Sequence, residues 1–182
     1  MKKKFYYQKS IILLLNILII SFYSCKKEDD IPAPPITAEN TFSCKMDEEL
    51  FVPKRNGGFI RFPGIIVITN EDNWHLILNN GEKELHIYLA NLNRIGNYNI
   101  SDSDGNKDFF NETSNAVELD DTSELYYISK EDSGLIEVIE LEQGKRLIFQ
   151  FDEIKLYNMN NRNHFIMLTD GKLNLNLVTL NP

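Results

Sequence analysis

Apolar and polar residues alternate in short runs along most of this chain. The period is two, not 3.6, and the runs are separated by Asn, Asp, Gly and Glu at hairpin-like intervals. This pattern predicts strands near 41–46, 49–53, 65–70, 73–79, 83–90, 96–100, 115–119, 124–129, 134–142, 145–157, 164–169 and 171–178. No segment carries an amphipathic helix of three turns, and no internal repeat is visible. Strands that follow one another without helical crossovers pair antiparallel. The expected fold is therefore all-β: one antiparallel β-sandwich or barrel-like domain.

Three hairpins can be given a register. Asn80-Gly81 suits a two-residue type I′ turn, because both residues tolerate positive φ. That turn would set Leu78 opposite Lys83, Leu76 opposite Leu85 and Trp74 opposite Ile87 on an apolar face. Ile77 opposite Glu84 and His75 opposite His86 would form the outer face. A turn at Gln143-Gly144 would place Ile136, Val138 and Glu140 against Phe151, Phe149 and Leu147. A turn at Asp47-Glu48 would pair Cys44 with Phe51 and Phe42 with Pro53. A one-residue slip would exchange the faces.

The first 40 residues break the alternation. Lys2, Lys3, Lys4 and Lys9 precede an apolar run from Ile11 to Ile20, and Ser24-Cys25 follows. A basic end, a short apolar core and a small residue before the cut are the parts of a secretory signal. The run is shorter than the ~20 residues that span a bilayer. Residues 1–24 are read as a lipoprotein signal peptide, with Cys25 as the acylated residue; a plain signal peptide and an uncleaved anchor are the alternatives. Residues 25–40 form a charged, then Pro-rich tether. At ~3.1 Å per extended residue it could hold a domain about 45 Å from the lipid. Residues 41–182 are left for the β domain, enough for one core.

Charge narrows the partners. The chain has 27 acids against 19 Lys and Arg, a net charge of −8. Four of those lysines and none of the acids lie in the signal, so the exported chain is more acidic still. Such a surface argues against nucleic acid. Of the two cysteines, Cys25 is taken by lipid. Cys44 then has no intrachain partner and is read as a buried thiol behaving as a small hydrophobe.

Four elements carry a family resemblance. TFSCKMDEELFVP at 41–53 looks like an opening "TFxCxVNGxxWVP" hairpin, with Asp47-Glu48 where that pattern has Asn-Gly. IGNYNI at 95–100 is similar to "TGTYxL", SGLIEVIELEQGKRLIFQFDEI at 133–154 to "SGxIxITxLDxxxxRVxGTFxF", and TDGKLNL at 169–175 to "TNGxFDV". In this order they resemble a family of uncharacterised small β-rich lipoproteins of Bacteroidota-type bacteria. Gln150, Asp152 and Glu48 depart from the pattern. The resemblance brings no catalytic residue with it. Lys27-Glu28-Asp29 also looks like the Lys-acidic-acidic export signal of surface lipoproteins in such bacteria, which implies an outer-membrane anchor facing the cell exterior. A solvated charge run is the alternative.

Candidate chemistry is sparse. Asp102, Asp104, Asn106 and Asp108 alternate like the start of a calcium loop, yet Lys107 stands where the loop needs Gly and Thr113 where it needs a bidentate Glu. No cofactor is expected; calcium is the one metal for which a ligand run can be named. His75 and His86 would be cross-strand neighbours, two ligands where zinc needs three or four. G-x-S-x-G, H-E-x-x-H and C-x-x-C are all absent. Trp74, expected in the core, is the only tryptophan, and of the adjacent Tyr126 and Tyr127 one is expected to face outward. The chain reads as a surface-anchored lipoprotein with a non-enzymatic binding, adhesion or envelope-accessory role toward a glycan or protein. The alternative is a hydrolase of envelope or environmental glycans.

Overall fold

The computed structural model describes residues 38–55, 63–105, 114–121 and 125–180. Cys25, Lys27, Glu28 and Asp29 lie outside them, as do Asn106 and Asp108. The described chain is nearly all antiparallel β. Its strands are β1 (Thr41–Met46), β2 (Glu49–Phe51), β3 (Ile65–Asn70), β4 (Asn73–Asn79), β5 (Lys83–Leu89), β6 (Gly96–Ile100), β7 (Ala116–Asp121), β8 (Leu125–Ile128), β9 (Gly134–Glu142), β10 (Arg146–Asn158) and β11 (Phe165–Asn176). One short helix, α1 (Leu177–Leu180), follows.

All eleven strands belong to one sheet, in the order β2-β1-β11-β10-β8-β7-β5-β4-β3. β9 also pairs with β10, and β6 with β9. The 13-residue β10 is the branch: its partners on one side are β9 near its start and β8 at Tyr157 and Asn158. The sheet curls into a half-barrel. Inward side chains from strands far apart in the order then meet in one core. Phe42, Phe51, Trp74, Leu76, Ile87, Leu119, Phe149, Leu156 and Leu173 are among its buried members.

The Asp47-Glu48 turn forms as expected. Both residues have positive φ (46° and 74°), Cys44 lies opposite Phe51, and the Phe42 and Phe51 rings meet edge-on at 6.2 Å. The turn is braced from β11, where Met167 N donates to Asp47 Oδ1 at 2.9 Å. Cys44 is buried, and burial pushes its thiol up to about 12. The native protein should therefore resist a thiol reagent and react only on unfolding, as read by mass shift across a urea series.

The Asn80-Gly81 hairpin differs from expectation. Asn79 pairs with Glu84, so the loop holds the four residues Asn80 to Lys83. The Asn80 side chain is the reason: its Oδ1 accepts from Glu82 N at 3.0 Å and Lys83 N at 2.8 Å, an Asx turn that competes with the two-residue type I′ turn. Register moves by two: Leu76 faces Ile87, Leu78 faces Leu85, and His75 faces Tyr88 rather than His86. An even shift preserves faces, so Trp74, Leu76 and Leu85 still point into the core.

The third hairpin has a three-residue loop, Gln143 to Lys145, with Gly144 at φ 67°. Leu147 therefore faces Leu141, and Ile148 faces Glu140. A bulge at Ile139 then restores the expected pairing of Phe149 with Val138. The two strands expected at 164–169 and 171–178 are one. Asp170-Gly171 is not a turn between strands but a bulge within β11, set opposite Cys44 of β1. Asp170 takes the positive φ there, 55°, and pairs with Lys45 at 3.0 Å.

Candidate functional site

The His75–His86 face of the β4-β5 hairpin, read from the sequence as the outer one, is not solvated. Its centre is buried. His75 is 2% exposed and His86 4%, and Tyr88 and Glu118 are buried with them. Alternation explains the grouping: His75 on β4, Glu84, His86 and Tyr88 on β5, Glu118 and Asp120 on β7, and Tyr126 on β8 all point the same way. Glu118 lies directly opposite His86, and Asp120 opposite both Glu84 and Tyr126.

The histidines form a relay. His86 Nε2 lies 2.9 Å from Glu84 Oε1, and His86 Nδ1 lies 2.9 Å from His75 Nε2. With Glu84 ionised and the pair neutral, His86 donates to Glu84 and accepts from His75. The rings stack at 5.1 Å, and Tyr88 stacks on His75 at 4.2 Å. Burial, then the neighbouring His86, lowers the His75 pKa to about 4, with Glu84 opposing. The unfolded chain takes up this proton near 6.5, well before the folded chain does. Stability from His75 is thus full above about pH 6.5 and declines as pH falls toward 4, by about 2 kcal/mol. Urea midpoints at pH 7 and pH 5 should show this decline, and His75→Gln should flatten it.

Glu118 is the second centre. Its side chain is 0% exposed and accepts from the Ser103 and Tyr126 hydroxyls. Burial, then the bond to Glu118 and its charge, pushes the Tyr126 phenol upward, so it stays protonated as a donor. Ser103 is held by its own loop, since Gly105 N donates to its Oγ at 3.1 Å. Only a lone Glu inside the apolar start of β7 hinted at this group in the sequence. The sequence does not bring Glu118 together with Ser103 and Tyr126, because the three come from different segments.

Of the calcium run, Asp102 and Asp104 are described. Asp102 Oδ1 accepts from Glu131 N at 2.6 Å, which makes it a brace between loops. Among the described residues there is no group of three or more His, Cys, Asp or Glu side chains placed to hold a metal. Trp74 is in the core, and so is Tyr127; Tyr126 covers Glu118, so neither tyrosine is an open platform. An exposed aromatic lies elsewhere: Phe165 on β11, opposite Tyr157, with Lys155 Nζ 3.9 Å from the Phe165 centroid and 5.1 Å from that of Tyr157.

Two surface concavities lie among the described residues. One, of about 540 Å³, is formed by Ala90 to Tyr98 between β5 and β6. The other, of about 360 Å³, is lined by Asp132, Glu137, Asp152 and Glu153 with Leu135 and Phe151 among its walls. Polar and apolar groups line the first, and none of its lining residues is acidic. Asn91, Asn93, Arg94, Ile95 and Asn97 are all exposed around it. No family profile, curated protein or solved structure matches the chain.

Proposed function

We propose that this chain is a lipid-anchored binding protein of the outer membrane, held at Cys25 and facing outward, with no catalytic role. The Lys-rich start, short apolar run and Ser24-Cys25 support the anchor, and Lys27-Glu28-Asp29 with the Pro-rich stretch supports display. The observation that carries the binding role is the preformed concavity at Ala90–Tyr98, rimmed by exposed amides, a guanidinium and the 62%-exposed Ile95. Labelled palmitate should enter the wild type and not Cys25→Ala. Protease added to intact cells should shave the wild type, and alanine at Lys27, Glu28 and Asp29 should protect it. Incorporation into Cys25→Ala removes the anchor, and equal shaving removes the export signal.

A hydrolase of envelope or environmental glycans is the second reading, favoured by one group: the buried Glu118 held by two hydroxyls, with His86 across the strand pair. Release of reducing ends from polysaccharide, lost in Glu118→Gln, would select it. Retention of polysaccharide without release supports the binding role.

A further inference from the structure

We infer that the Ala90–Tyr98 loop is a saccharide-binding site, an inference that rests on the binding role above and names its ligand class. The loop has little regular structure, yet its backbone is fixed. Leu92 is a buried peg at its centre; its N–H donates to Asp72 O at 2.6 Å, and its carbonyl accepts from Gln143 Nε2 at 3.3 Å. At the entry, Ala90 N donates to Asn115 Oδ1 at 3.0 Å and Asn91 N to Asn73 Oδ1 at 2.9 Å. At the exit, Tyr98 Oη donates to Arg94 O at 2.7 Å, and β6 pairs with β9. With the peg turned in, the residues on either side of it are turned out. A loop ordered before binding loses little entropy on binding.

The side chains carry the ligand chemistry. Asn91 has a backbone reason to be Asn, its φ of 54°. Asn93 and Asn97 have none. Asn97 stands inside β6, where Asn is disfavoured. Neither amide has a hydrogen-bond partner among the described residues. A carboxamide offers a donor and an acceptor side by side, which matches a pair of ring hydroxyls that each give and take a proton. Arg94 adds a planar fork of donors for vicinal oxygens or a sugar carboxylate. Ile95, which is exposed, gives an apolar surface for the C–H face of a pyranose. The acidic chain disfavours nucleic acid.

The test is calorimetric titration of the full chain in detergent with cello-, manno-, xylo-, galacto- and galacturono-oligosaccharides. At least one should bind. Asn93→Ala and Asn97→Ala should each weaken it about 5- to 10-fold, the worth of one exchanged hydrogen bond. Arg94→Ala should weaken it more, with unchanged Tm in all three variants. Asp152→Asn, in the other concavity and on β10, should bind as the wild type does. Binding that ignores all three loop substitutions overturns this site but leaves the binding role standing. No binding to any of the five series overturns the ligand class. Release of reducing ends during the titration would instead overturn the non-enzymatic role itself.

Discussion

Gly171→Ala should destabilise the domain by about 3 kcal/mol or more. A Cβ at this position would lie 2.0–2.4 Å from three ring carbons of Phe151, the residue directly opposite on β10. Contacts that short do not occur, so a ring or a strand has to move. The ring has little room: Phe151 is buried, and its centroid is 6.5 Å from that of Phe42. The backbone has little room either, because β11 is paired with β10 on one side and β1 on the other. Overpacking typically costs ~1–3 kcal/mol, and a clash of this depth belongs at or above the top of that range. Urea unfolding should show a large fall in midpoint. A smaller side chain at the partner should relieve it, so Gly171→Ala combined with Phe151→Leu should be more stable than the sum of the two single changes predicts. Additive losses would mean that the Phe151 ring does not lie over Gly171.

Glu118→Ala should cost roughly 2–4 kcal/mol, because it withdraws the acceptor from two buried hydroxyl bonds and leaves a cavity. Glu118→Gln keeps the volume and one acceptor and should cost less. Tyr126→Phe combined with Glu118→Ala should be less damaging than the two losses summed, since both remove the same bond. Such a cycle measures the coupling within the pair. If Glu118→Ala were neutral, the carboxylate would have to be solvated rather than buried.

Much of the strand pattern was legible because a half-buried strand writes its period into the sequence. Ten of the eleven strands lie within a few residues of their expected positions. The error at 164–178 has a specific cause. Asp170-Gly171 is turn chemistry, and a bulge uses the same two residues for the same reason, a positive φ followed by a residue without Cβ. Which of the two forms depends on whether β1 is present to pair across it. The Asn80 hairpin teaches something similar. Asn-Gly permits a type I′ turn, but the Asn80 carboxamide found two backbone N–H groups and made a longer loop. The inward face survived only because the shift was even.

By itself the sequence determined the all-β class, the antiparallel pairing, and the inward placement of Phe42, Cys44, Trp74, Leu76 and Phe149, because alternation and turn residues act over a few neighbouring positions. Only the tertiary structure decided that the His75–His86 face is buried, that Glu118 meets Ser103 and Tyr126, and that Leu92 pins the Ala90–Tyr98 loop. Ser103 and Glu118 are 15 residues apart, and the Gln143 amide reaches Leu92 across 51. Contacts of that range follow from which strands become neighbours in the curled sheet, and pair order between distant strands leaves no periodic mark on the chain.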